Sequence, residues 1–114
     1  MKYNLVFFAK KPNSEDILVF TQLFSNCIKT GLSIKESLII LAKQTPNSVL
    51  QKRINKIILD IESGDSLSTA FSKHQDIFPV FYSPLLKAGE SSGDLINILE
   101  CLVNYLERMQ ILKN

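Results

Sequence analysis

The sequence predicts an all-α protein, a six-helix antiparallel bundle. Three observations predict it. Apolar residues recur at spacings of three and four from Ser14 onward, the signature of a helix with one buried face. Gly, Pro and Ser punctuation breaks that pattern at intervals of about 10–20 residues, an ordinary helix length. No alternating strand pattern competes beyond residue 13. The connections are short, which places successive helices antiparallel.

Residues 1–14 read as an N-terminal arm and 15–114 as the helical domain. The arm carries the apolar run Leu5–Ala9, either a short strand-like segment or a tail pinned by its aromatics, followed by Lys10, Lys11 and Pro12. From Ser14, the residues Ile17, Phe20, Phe24, Cys27 and Ile28 share one helical face, and Gly31 sits where a left-handed residue ends the helix. Ser33 and Glu36 have the spacing of a capping box, hydroxyl to amide and carboxylate back to amide. The helix they open buries Ile34, Leu38, Leu41 and Ala42 and stops near Thr45 and Pro46.

A third helix starts at about Asn47. Leu50, Ile54, Ile57, Ile58 and Ile61 form its inner face, with Gln51, Lys52, Asn55, Lys56 and Asp60 turned outward. Ser63 and Gly64 close it, and Ser66 caps a short fourth helix through Leu67, Ala70 and Phe71. His74 to Asp76 form a break. Phe78 and Pro79 open a fifth segment, in which Pro84 would disrupt a helix if it fell deep inside, so a short or kinked helix is expected over 80–89. Glu90 to Asp94 read as a turn. Asp94 then caps the last helix, whose seam is Leu95, Ile98, Leu99, Leu102, Leu106 and Met109.

At 114 residues, the chain supports one domain with a single modest core. Thirteen Lys and Arg against eleven Asp and Glu leave a net charge of +2, too balanced for the basic stripe of a nucleic-acid binder. Two cysteines, Cys27 and Cys101, and one histidine, His74, cannot assemble a zinc site. Both cysteines fall on apolar helical faces and read as reduced core thiols, a single disulfide being the alternative. The longest apolar runs are Leu5–Ala9 and Leu38–Ala42, far short of the roughly 18 residues a membrane span requires, so the segment taken alone reads as soluble.

Gly64-Asp65-Ser66-Leu67 spells the short block of a serine esterase family. A long amphipathic helix precedes it, however, and the lone His74 has no acidic orienter at the required spacing. A serine without a positioned base is not activated, so the block reads as a glycine helix end followed by a serine cap. His74 reads as a solvent-facing turn residue or partial cap. Glu62, Asp65, Glu90 and Asp94 adjoin helix ends, where capping is the main reading and an oxygen-ligated divalent cation the alternative. Gly64, Gly89 and Gly93 lack the spacing of a phosphate loop. No enzyme active site and no cofactor site is expected.

Several helices carry more apolar residues than one core requires: Ile39 and Ile40 in the second, Leu59 in the third, Val103 and Tyr105 in the last. These are either scattered surface residues or a contact with a second copy or another protein.

Taken as a set, Phe20-Thr21-Gln22-Leu23, Thr30-Gly31-Leu32-Ser33-Ile34 with Glu36-Ser37-Leu38, Gly64-x-Ser66-Leu67-x-x-Ala70-Phe71, Phe78-Pro79, Ala88-Gly89-Glu90-x-Ser92-Gly93 and Leu99-x-x-Leu102-x-x-Tyr105-Leu106 resemble a known pattern. The succession is similar to the cytoplasmic repeat of the bacterial type II secretion and type IV pilus inner-membrane platform proteins, over roughly residues 15–112. The resemblance implies a six-helix bundle that is the first of two such cytoplasmic domains in a polytopic inner-membrane protein. It further implies a scaffold that couples the cytoplasmic assembly ATPase to pilin or pseudopilin assembly, with other inner-membrane assembly proteins as partners. The chain departs at its front, where many relatives have a longer leading segment, and so looks like a shorter variety.

The interaction residues expected on this reading are Glu90, Ser92, Gly93 and Asp94, facing a basic partner surface, and a weak homodimer is expected. Gly31, Ser33, Glu36, Gly64 and Ser66 are expected as structural turns and caps. The alternative is a free-standing soluble helical adaptor or regulator holding a small ligand in its bundle. That reading needs a polar group directed into the core, for which Thr21 and Asn104 are the candidates.

Overall fold

Six helices form in chain order: α1 (Ser14–Lys29), α2 (Ile34–Gln44), α3 (Ser48–Glu62), α4 (Leu67–Ser72), α5 (Tyr82–Ser92) and α6 (Leu95–Lys113). They come from a computed structural model that describes residues 10–113; the run Leu5–Ala9 lies outside the described residues. Polar caps start most of them. Asn13 and Asp16 form a capping box on α1, as do Ser33 and Glu36 on α2, with bonds of 3.0 Å in each direction. Asn47 accepts from the Leu50 amide at α3, and Ser66 from the Thr69 amide at α4. Each bond satisfies an amide that the helix itself leaves free. Gly31 and Gly64, with φ of 95° and 108°, follow the ends of α1 and α3.

The helices run antiparallel to their partners. Along α1 and α6, Ser14 bonds Gln110 at 2.8 Å, Gln22 bonds Glu107 at 3.2 Å and Lys29 pairs with Glu100 at 2.6 Å. Between α2 and α3, Gln51 donates to the Ala42 carbonyl and Lys35 pairs with Glu62. The first and last helices are thus laid against each other and close the bundle.

The buried apolar residues include Ile17, Phe20 and Phe24 of α1, Leu38 and Leu41 of α2, Leu50, Ile54 and Ile57 of α3, and Leu99 and Leu102 of α6. At their centre Phe20, Phe24, Phe71, Phe78 and Tyr82 form an aromatic cluster, with contacting ring centroids 4.9–6.4 Å apart. Offset and tilted rings at this separation contribute beyond their buried area. Among the described residues there is no strand.

Several local expectations are corrected. The fifth helix spans Tyr82–Ser92 rather than 80–89. Beginning at Tyr82 puts Pro84 in the first turn, where a missing amide costs no internal bond, and the helix then continues through residues read as a turn. Asp60, placed on the outer face of α3, is only 7% exposed. Lys56, one turn earlier, and Lys73, beyond α4, both bond its carboxylate, at 2.9 and 3.3 Å.

His74 is buried as well, at 6% exposure, because the segment after α4 folds back onto α3 and sets the imidazole beside Arg53. Cys101 lies at the surface, Cys27 is half-buried, and both are free thiols. Met109 is 48% exposed, so the seam of α6 ends at Leu106.

Candidate interaction site

The four residues expected to meet a partner come together at one exposed end of the α5–α6 pair. Gly93 adopts a left-handed conformation, φ 75° and ψ 16°, which for a residue with a Cβ costs about 1–2 kcal/mol. Nothing lies within 4 Å of the position its Cβ would take, so the requirement there is conformational alone. The Asp94 amide donates back to the Gly89 carbonyl at 3.1 Å and approaches Ser92 Oγ at 3.3 Å. Asp94 Oδ1 then accepts from the Asn97 amide at 3.2 Å, capping α6. Its negative charge also sits favourably at the positive end of that helix.

Glu90 has a job inside the fold. Its two carboxylate oxygens accept from the Leu67 amide at 2.9 Å and the Ser68 amide at 3.2 Å. These are free amides of the first turn of α4, so Glu90 of α5 supplies a second cap beside Ser66. The α3–α4 and α5–α6 turns therefore lie at the same end of the bundle.

Four carboxylates gather at these two turns, each with its own partner. Glu62 pairs with Lys35, Asp65 with Lys73, Glu90 with the α4 amides and Asp94 with the α6 amide. Among the described residues no three of His, Cys, Asp and Glu come together as a metal-binding group. Glu90 and Asp94 bond backbone amides without a cation partner among the described residues, which leaves this end negative.

Sequence reasoning missed Gly89. It is buried in α5, and a Cβ there would lie 3.0 Å from Ile98 Cγ1 and 3.3 Å from the Leu95 Cα. Its lack of a side chain lets α5 and α6 approach closely just before their turn. A glycine inside an otherwise helical pattern was the available signal. At the opposite end of the pair, Phe81 and Tyr105 stack edge to face, 4.6 Å between centroids.

Two buried polar groups lie apart from this end. Thr21 Oγ1 donates to the Ile17 carbonyl at 2.7 Å and lies 2.7 Å from the Tyr82 hydroxyl. With the threonine proton committed to Ile17, Tyr82 donates to Thr21, and burial pushes the Tyr82 phenol well above its ordinary range. The core hydroxyl of Thr21 is thus satisfied internally, and Asn104 is exposed.

Arg53 holds Asp76 with two bonds of 2.8 and 2.7 Å, which lower the carboxyl to about 2. The same guanidinium lies 3.1 Å from His74 Nδ1. A guanidinium only donates, so Nδ1 accepts and the proton sits on Nε2, which is buried without a partner among the described residues. Desolvation and the adjacent Arg53 both lower the His74 pKa.

No described helix is long and apolar enough to cross a membrane. The family of type II secretion system protein F matches residues 20–114. A type IV pilus assembly protein PilC from Thermus thermophilus is 35% identical over 97 residues, covering 85% of this chain and 24% of that protein. The PilC of Myxococcus xanthus is 37% identical over 100 residues, covering 88% of this chain and 24% of its own length. The type II secretion system protein F of Pseudomonas aeruginosa is 27% identical over 103 residues, 90% of this chain and 25% of its own. The chain therefore spans about a quarter of the length of the curated relatives it matches. With the match extending over most of its helices, the chain belongs to the type II secretion system protein F family.

Proposed function

We propose that this chain is the N-terminal cytoplasmic domain, the first of two, of an inner-membrane platform protein for type IV pilus biogenesis or type II secretion. It acts as a scaffold coupling the assembly ATPase to pilin or pseudopilin assembly, and the full-length protein is embedded in the membrane with this domain on the cytoplasmic side. The observation that carries the reading is the identity of 35–37% to two pilus assembly proteins over nearly the whole chain. The interior is in keeping with a scaffold, since the core hydroxyls of Thr21 and Tyr82 are committed to each other and to the Ile17 carbonyl. Weak self-association through exposed apolar residues belongs to the same reading.

The negative end at Glu90, Ser92, Gly93 and Asp94 is the contact proposed for a basic surface of the ATPase. Charge reversal there confounds binding with folding, because Glu90 and Asp94 both cap helices. Asp94→Asn keeps a capping oxygen and removes the charge. In the full-length protein it should leave abundance unchanged and lower melting only slightly, by the lost charge at the helix start, weaken ATPase binding several-fold at low salt, and lose that binding effect at high salt as exposed charges are screened. Unchanged binding at low salt refutes the contact. The wider function is tested by deleting the natural gene: normal piliation and normal secretion overturn it.

A further inference from the structure

A shallow groove of about 330 Å³ runs between α2 and α3, lined by Ile39, Ala42, Lys43, Gln51, Asn55, Ile58 and Leu59. Its aliphatic content is exposed: Leu59 is 57% accessible, and Ile39 and the neighbouring Ile40 are 36% accessible. Along α3 the lining runs from Gln51 to Leu59, which at 1.5 Å per residue is about 12 Å, two turns of a facing helix.

The charges around it are unbalanced. Of the three carboxylates on α2 and α3, Asp60 pairs with Lys56 and Lys73 and Glu62 with Lys35, while Glu36 bonds the Ser33 amide at the start of α2; the same two helices carry five basic residues, Lys35, Lys43, Lys52, Arg53 and Lys56. Lys43 lies on the groove wall one turn from Ile39, and Lys52 shares a helical stripe with Leu59. Neither lysine has a carboxylate partner among the described residues. The larger groove between α1 and α6 differs, having the four amides Gln22, Asn26, Asn97 and Asn104 in its lining and containing the balanced pair Lys29–Glu100.

We propose that the α2–α3 groove docks an amphipathic helix of a partner protein, whose aliphatic stripe is flanked by aspartate or glutamate. The aliphatic residues of that helix seat between Ile39 and Leu59, and its carboxylates reach Lys43 and Lys52. Two turns of contact match anchors at i, i+3, i+4 and i+7, the pattern of a helix laid in a groove. Concavity favours a helix over a bilayer, because lining residues sunk between two helices do not present a flat surface to lipid. This surface is separate from the α5–α6 end, so it stands or falls independently of the ATPase contact.

The test uses the 114-residue chain and a synthetic helical peptide of about 18 residues, with leucines at the anchor positions and glutamates beside them. A control peptide has lysine in place of every glutamate. The expected result is saturable binding of the acidic peptide, with backbone amide shifts in NMR spectra confined to α2 and α3. Leu59→Gln should weaken it about tenfold or more, as losing an apolar anchor of the contact does. Lys43→Glu with Lys52→Glu should weaken it about tenfold at low salt and less at high salt. All three residues are exposed, so unchanged melting certifies the fold. Equal binding of the lysine peptide, shifts elsewhere, or no binding overturns the proposal. So does binding of vesicles of phosphatidylglycerol and phosphatidylcholine that requires Leu59 when the acidic peptide does not bind. Self-association abolished by Leu59→Gln, without peptide binding, would assign the groove to a second copy instead.

Discussion

Glu90 and Leu67 are joined by a 2.9 Å bond from backbone amide to carboxylate, across 23 positions of chain. The end of α5 therefore caps the start of α4. A six-residue helix is too short to sustain itself, and α4 depends on this external partner as well as on its own Ser66. The A-G-E-x-S-G block accordingly contains three separate devices: a close approach at Gly89, a remote cap at Glu90 and a left-handed stop at Gly93.

Glu90→Ala should destabilise the chain by about 1–2 kcal/mol, the range for a lost helix cap. Glu90→Gln, which retains an acceptor, should lose less. Urea unfolding followed by far-UV circular dichroism measures both; equal stability of Glu90→Ala and wild type would show that water replaces the carboxylate without loss.

Gly89→Ala and Gly93→Ala should both destabilise, for different reasons. At Gly89 the added Cβ meets Ile98 and the Leu95 backbone, an overpacking cost of about 1–3 kcal/mol. Trimming its neighbour, as in Ile98→Ala, should recover part of that loss in a double-mutant cycle. At Gly93 the cost is the left-handed backbone, about 1 kcal/mol, and Gly93→Asn should be milder because Asn tolerates that conformation. No neighbouring substitution should rescue Gly93→Ala.

Thr21→Val should cost more than Tyr82→Phe. Removing the threonine hydroxyl strands the buried Tyr82 donor, about 1–3 kcal/mol, whereas removing the tyrosine hydroxyl leaves Thr21 bonded to Ile17 and costs about 1 kcal/mol. The double variant should lose less than the sum, because no donor is then left unpaired. Additive losses in calorimetry would show that the two hydroxyls do not interact.

Stability should fall as pH drops below about 6.5, the ordinary value for His74. The folded His74 pKa is lowered, so the unfolded chain takes up a proton first and acid favours unfolding. The loss should begin near the ordinary value and continue down to the folded one. Asp76 adds a separate step: its stabilising bond to Arg53 is fully present above 3.8 and is lost as pH falls toward about 2. His74→Gln should flatten the pH dependence that begins just below about 6.5 while leaving the lower step. Thermal melts across this range measure both slopes; an unaltered upper slope in His74→Gln would assign it to other groups.

Leu99→Ala and Ile57→Ala, at fully buried positions, should each cost about 2–5 kcal/mol. Leu59→Ala, two positions along α3 from Ile57 and on the exposed side, should change stability by about 0.5 kcal/mol or less. A large loss at Leu59 would place it in the core and remove it from any groove.

The sequence by itself determined the class of fold, the number of helices and most of their ends. Periodicity and capping act within about four residues, so Leu38 and Leu41 on one face of α2, or Ser33 against Glu36, can be read without knowing what packs on them. The resemblance that identifies the family lies in the same local blocks. The fifth helix was displaced because Pro84 permits two answers, a break or a place in the first turn, and only packing of Tyr82 into the aromatic cluster chooses between them.

The tertiary structure alone decided the fates of Asp60, His74 and Glu90. Their partners stand 13, 21 and 23 positions away at Lys73, Arg53 and Leu67, distances at which helical period carries no information. It also decided which excess apolar residues remain outside: Val103 packs against the core, while Leu59 stays exposed. Whether a polar group is buried or an apolar one left in water depends on which helix arrives beside it, and that follows from how six amphipathic faces close around one core, not from any single face.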